Sequence, residues 1–104
     1  MAVFNGVAYL AGQVANDLSQ DISGQMREVL AMIDTLLAQA NSDKSRILMA
    51  QIYLADLADY ASMNAVWDDW VSDISGNAPP RATVQAKLAN LNCKVEVVIT
   101  AAQK

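Results

Sequence analysis

The chain has 104 residues, no histidine, one cysteine and a formal net charge of −4 from seven basic and eleven acidic side chains. Without histidine, Ser-His-Asp and Cys-His nucleophile systems are excluded within the chain, as are zinc sites built on Cys/His clusters. The acidic balance gives no electrostatic footprint for nucleic acid or an anionic membrane, and a lone Cys93 fits a reducing, cytoplasmic setting without an internal disulfide.

In chain order, Val3-Phe4-Asn5-Gly6-Val7-Ala8-Tyr9 places an Asn-Gly pair between β-prone residues, which predicts a hairpin. Its second strand is expected over about Val7 to Ala11, stopping at Gly12. From Asp21 the period becomes helical: Ile22, Met26, Val29, Ile33, Leu36, Leu37 and Ala40 form one apolar stripe, with Asp21 as N-cap and Asn41 suited to a left-handed end. Ser45 to Ala55 is apolar on both alternating sets, so it reads as a strand covered on both faces. A second helix follows an Asp59 cap, with Met63, Trp67, Trp70, Val71 and Ile74 on one side and Asp68, Asp69 and Asp73 on the wet side. Gly76-Asn77-Ala78-Pro79-Pro80 predicts a turn or extended loop. Ala82 to Leu88 and Cys93 to Ile99 both alternate and are expected as strands, joined as a hairpin through Asn90-Leu91-Asn92.

The whole chain, residues 1–104, reads as a single α+β domain of order β-β-α-β-α-β-β, two helices covering one face of a mixed sheet. The other face is expected to carry Tyr53 or its neighbours together with the polar alternates Thr83, Gln85, Lys94 and Glu96. Because 54% of residues are apolar and only 17% charged, that face is expected to be buried in a homo-oligomer whose sheets pack inward. No basic residue precedes Arg27, so no secretory leader is expected, and no apolar run approaches membrane-spanning length.

Two residues stand out for chemistry. Arg81 follows two prolines at the mouth of a strand, where a preset guanidinium suits bidentate capture of a carboxylate; a solvated arginine or surface ion pair is the simpler alternative. Glu96 lies among apolar strand positions. It is either an edge charge paired with a lysine or a partly desolvated acid placed for proton transfer. Trp67, Trp70, Met26 and Met63 read as core, Cys93 as a small hydrophobe, and no spacing resembles a metal site or a phosphate-binding glycine motif.

At Pro80-Arg81-Ala82-Thr83-Val84, followed by Lys94-Val95-Glu96-Val97, the chain resembles the RidA (YjgF) reactive intermediate deaminase family. The resemblance runs through Ala11-Gly12-Gln13, the long helix, Ile52 to Asp56 and Asp59-Tyr60-Ala61-Ser62-Met63-Asn64. Its most specific part is the Pro-Arg…Glu pairing, with Arg81 and Glu96 fifteen residues apart.

It implies a chorismate-mutase-like fold, a homotrimer with clefts between subunits, and hydrolysis of 2-imino or enamine acids to 2-oxo acids and ammonia without metal or cofactor. It further implies that Arg81 holds the substrate carboxylate and that Glu96 assists water or proton transfer. Asn64 would help shape the cleft, which Ala11 and Gly12 would line. Ala11 stands where many relatives place a serine, and Thr83 where many place a cysteine. The family's N-terminal strand with its cleft tyrosine has no counterpart, so a more open cleft is expected. The alternative is a non-catalytic trimeric module that binds a small carboxylate to regulate a partner. A ribonuclease or translation inhibitor, described for some relatives, is disfavoured by the charge.

Overall fold

In the computed structural model, which describes residues 1–76 and 78–104, the elements follow the expected order. The strands are β1 (Ala2–Phe4), β2 (Val7–Tyr9), β3 (Ile47–Leu54), β4 (Arg81–Gln85) and β5 (Val95–Ala102); the helices are α1 (Ile22–Gln39) and α2 (Tyr60–Val71). Asn5 and Gly6, at φ 51° and 76°, make the β1–β2 turn with two positive-φ residues, the geometry that the right-handed strand twist favours.

The Asp21 carboxylate caps α1 by accepting from Gly24 N at 2.8 Å. Ile22, Met26, Val29, Leu30, Ile33 and Leu37 are buried along one side of the helix, as the period requires. Asn41 adopts the left-handed conformation, φ 56°, just beyond its end. Asp59 precedes α2 but makes no side-chain cap bond, and the helix stops at Val71, short of Ile74. Of the turn expected over 76–80, Asn77 lies outside the described residues, and Gly76 takes φ 100°.

The sheet order is β1-β2-β5-β3-β4, with β3 and β4 parallel and every other neighbour antiparallel. The expected β4–β5 hairpin is therefore not formed. The apolar β3 takes the place between them, and α2 serves as the crossover that a parallel β3–β4 pair needs. Pairing continues beyond β2 through Leu10 N to Ile99 O and a bridge between Gln13 and Val97. From Tyr9 to Gln13 is four residues, opposite three from Thr100 to Val97, so one extra residue bulges the chain at Ala11–Gly12.

Ala50, Ile52, Leu54, Val95, Val97, Ile99 and Ala101 face the helices and are buried. The opposite face carries Tyr9, Met49, Tyr53, Glu96 and Val98, all partly or well exposed in the single chain. Thr83 and Gln85 correct the expected assignment. They pair in register with Ile52 and Leu54, so they point to the helix side with Arg81, not to the open face. Among the described residues no helix is long and apolar enough to cross a membrane.

Candidate functional site

Register decides where the candidate residues lie. Arg81 pairs with Ala50, on the helix side of the edge strand β4, whereas Glu96 pairs with Tyr53 on the open face. Within one chain the two are on opposite faces of the sheet, and the candidates separate into two groups.

The first group gathers where β4 meets α2. The Arg81 guanidinium carbon lies 5.3 Å from the Trp67 ring centroid and 5.7 Å from that of Tyr60, and Nη2 donates to Tyr60 Oη at 2.9 Å. Tyr60, Asn64 and Trp67 follow one stripe of α2 at helical spacing, which sets Asn64 one turn from the tyrosine; its amide donates to Asp68 Oδ2 at 3.2 Å. Thr83, two residues along β4 on the same side as Arg81, has a buried Oγ1 with no hydrogen-bond partner. Among the described residues no carboxylate lies within ion-pair distance of Arg81, so the surface ion pair suggested as an alternative is not formed.

The second group lies at the bulge. Glu96 folds against Gly12 so closely that a Cβ added there would overlap Oε2 and lie 2.9 Å from Cδ. Ala11 occupies the exposed crest of the same bulge. The only ion pairs among the described residues are Lys44 with Asp73 and Lys104 with Asp43, so Glu96 is not the paired edge charge of the alternative reading.

Two hollows, of about 460 and 380 Å³, lie elsewhere. One is between α1 and α2 around Arg27, Asp34 and Trp70, the other beside Lys87 and Cys93. No candidate residue lines either. No group of three or more metal-ligating side chains gathers among the described residues.

Trp67, expected in the core, is 4% exposed, whereas Tyr60 carries no role expected from the sequence. The signal lay in the spacing Tyr60-x-x-x-Asn64, which sets the phenol on the side of the helix that already held the asparagine.

The chain matches the endoribonuclease L-PSP family over residues 1–103. The chain belongs to that family, also known as YjgF or RidA. A RutC family protein of Haemophilus ducreyi is 58% identical over 102 residues, covering 98% of this chain and 86% of that one. The crystal structure of a YjgF family member from Neisseria meningitidis superposes with a TM-score of 0.90 at 45% identity, covering 96% of this chain and 82% of the other. A more distant relative, the chloroplastic Reactive Intermediate Deaminase A of Arabidopsis thaliana, is 27% identical over 97 residues, covering 93% of this chain and 50% of that protein. The resemblance read from Pro80-Arg81 and Glu96 thus holds for the family, as does the chorismate-mutase-like α+β fold of YjgF proteins, two helices on one face of a mixed sheet.

Proposed function

We propose that this protein hydrolyses 2-imino or enamine acids to 2-oxo acids and ammonia. The observation that supports this most directly is the state of Arg81: a guanidinium gripped by two aromatic rings, with no acidic partner among the described residues. Its charge is left for a ligand, and a small carboxylate is the complementary group. The name of the Arabidopsis relative agrees with the reading.

The chemistry asks little of the protein. The imine carbon is already electrophilic. Water adds to it, Glu96 accepts the water proton and returns it to nitrogen, and the carbinolamine collapses to the carbonyl as its hydroxyl proton passes to nitrogen and ammonia leaves. Enamines enter by protonation at carbon and loss of a proton from nitrogen, which gives the same imine.

Since Arg81 and Glu96 lie on opposite faces of one sheet, they serve a common cleft only between copies. The proposed homotrimer sets the Arg81 group of one subunit against the Gly12–Glu96 bulge of the next, and each cleft takes a 2-imino or 2-oxo acid. The exposed Tyr9, Met49 and Val84 on the open face support such packing.

The test couples the protein to a threonine dehydratase and follows imine decay with semicarbazide as competing trap. The parent should speed the decay, and Arg81→Ala and Glu96→Gln should each abolish the effect. Co-expressed at equal levels, the two variants should recover about a quarter of parental activity, because one cleft in four then pairs an intact arginine with an intact glutamate. Unchanged decay with the parent refutes deamination, and no recovery in the mixture refutes the shared cleft.

Ala11, which offers no hydroxyl, favours a second reading: a module that binds a carboxylate without turning it over. Calorimetric binding of 2-oxo acids without imine hydrolysis selects it. A nuclease, as the family description names, would need affinity for RNA that the net charge of −4 opposes.

A further inference from the structure

We propose that Tyr60 is a ligand-binding residue, whose hydroxyl donates the second hydrogen bond to the carboxylate held by Arg81. The inference rests on the carboxylate role proposed for Arg81.

Tyr60 Oη accepts from Arg81 Nη2 at 2.9 Å, so its lone pair is engaged by the cation and its own hydrogen remains to be donated. Among the described residues no acceptor takes that hydrogen. Polarisation by the guanidinium strengthens the phenol as a donor, and an anion seated on Arg81 lies within its reach.

The two rings are not equivalent. Trp67 is 4% exposed and forms the inner wall behind the guanidinium, whereas Tyr60 is 42% exposed and stands at the rim with its hydroxyl beside the cation. A group at the rim can touch a ligand; one in the wall can only hold Arg81.

Thr83 offers a second unmatched polar group on the same face of β4. Thr83 Oγ1 is buried with no partner, on the side of β4 that Arg81 occupies and about 7 Å further along the strand. A buried hydroxyl without a partner is unfavourable unless something completes it. Guanidinium, phenol and threonine hydroxyl thus form a row of donors suited to a 2-oxo or 2-imino acid, with the carboxylate at Arg81 and Tyr60 and the adjacent heteroatom toward Thr83. Ala11 brings no hydroxyl to the cleft, and Tyr60 supplies one from the other wall.

Titration of 2-oxobutanoate into the parent and Tyr60→Phe, followed by calorimetry, tests this. The ring and its contact with Arg81 survive in phenylalanine, so the melting temperature should hold while the dissociation constant rises on the order of tenfold. In the imine assay KM should rise by a similar factor with kcat nearly unchanged, since the bond is made equally in ground and transition states. Thr83→Val should weaken binding as well, independently of the Arg81–Tyr60 contact.

Equal affinities for parent and Tyr60→Phe overturn the inference, as does a parent that binds no 2-oxobutanoate. A parent that binds the acid more tightly than Tyr60→Phe yet leaves imine decay untouched upholds the Tyr60 role while refuting deamination.

Discussion

Gly12 is a requirement of space and not of backbone freedom. Its φ is not in the left-handed region, but the Glu96 carboxyl group occupies the volume that any Cβ would take. In Gly12→Ala the flexible end of Glu96 can swing aside, so the fold should lose no more than about 1–2 kcal/mol in a denaturant titration. The carboxylate would then leave its position, and kcat/KM for imine hydrolysis should fall by at least about tenfold. Arg81 and Glu96 were legible as residues because each breaks its local pattern: a guanidinium after two prolines, an acid inside an apolar strand. Tyr60 breaks no pattern. An aromatic residue at a helix start is ordinary, and only the fold brings Arg81, twenty-one positions away, to its hydroxyl.

At the scale of elements, Gln25 ties three segments together. It is fully buried on the apolar side of α1, where its amide nitrogen donates to Leu18 O, Gln20 O and Asn92 O at 3.1–3.3 Å and its oxygen accepts from Lys94 N at 2.9 Å. The loop before α1 and the approach to β5 are thereby fixed to one side chain. Truncation in Gln25→Ala leaves those buried groups unpaired and should cost about 2–4 kcal/mol in a denaturant titration. Amide exchange should quicken at Lys94, whose N–H loses its acceptor.

Periodicity revealed α1, α2 and the Asn5-Gly6 hairpin because each is local. It could not reveal that β4 pairs with β3 and not with β5. Two alternating strands joined through Asn90-Leu91-Asn92 look like a hairpin, and the outcome turns on β3, whose two apolar faces suit the interior of the sheet. For the same reason Thr83 and Gln85 face the helices and not the open side, since the facing of a strand follows from its partner's register.

For the whole molecule, the absence of histidine and the distribution of acids set the response to pH. Asp17 and Asp43 are held below the ordinary carboxylate range mainly by hydrogen bonds from Ser19 and Ser45, and Asp73 by its hydrogen bond and charge pairing with Lys44. A depressed folded-state pKa adds stability that is present above the unfolded value, near 3.9, and is lost as pH falls through the folded one. No imidazole changes charge near neutrality. Thermal melts should therefore give a near-constant midpoint between about pH 5 and 8 and a decline below about pH 4. The decline should be modest, because the three groups are solvent-screened, and smaller in Asp43→Asn.

The position of β5 has a consequence for how the chain is made. It runs between β2 and β3 and so joins the two halves of the sheet, yet it is the last strand along the chain. During translation the β1–β2 hairpin and the β3-α2-β4 unit emerge with nothing between them, at roughly 5–20 residues per second. For that interval the apolar side of α1 has no completed sheet to cover it. The nascent chain should therefore stay protease-sensitive until Val95–Ala102 clears the ribosome, and then become resistant in one step. An arrested chain lacking that strand is the form most exposed to aggregation.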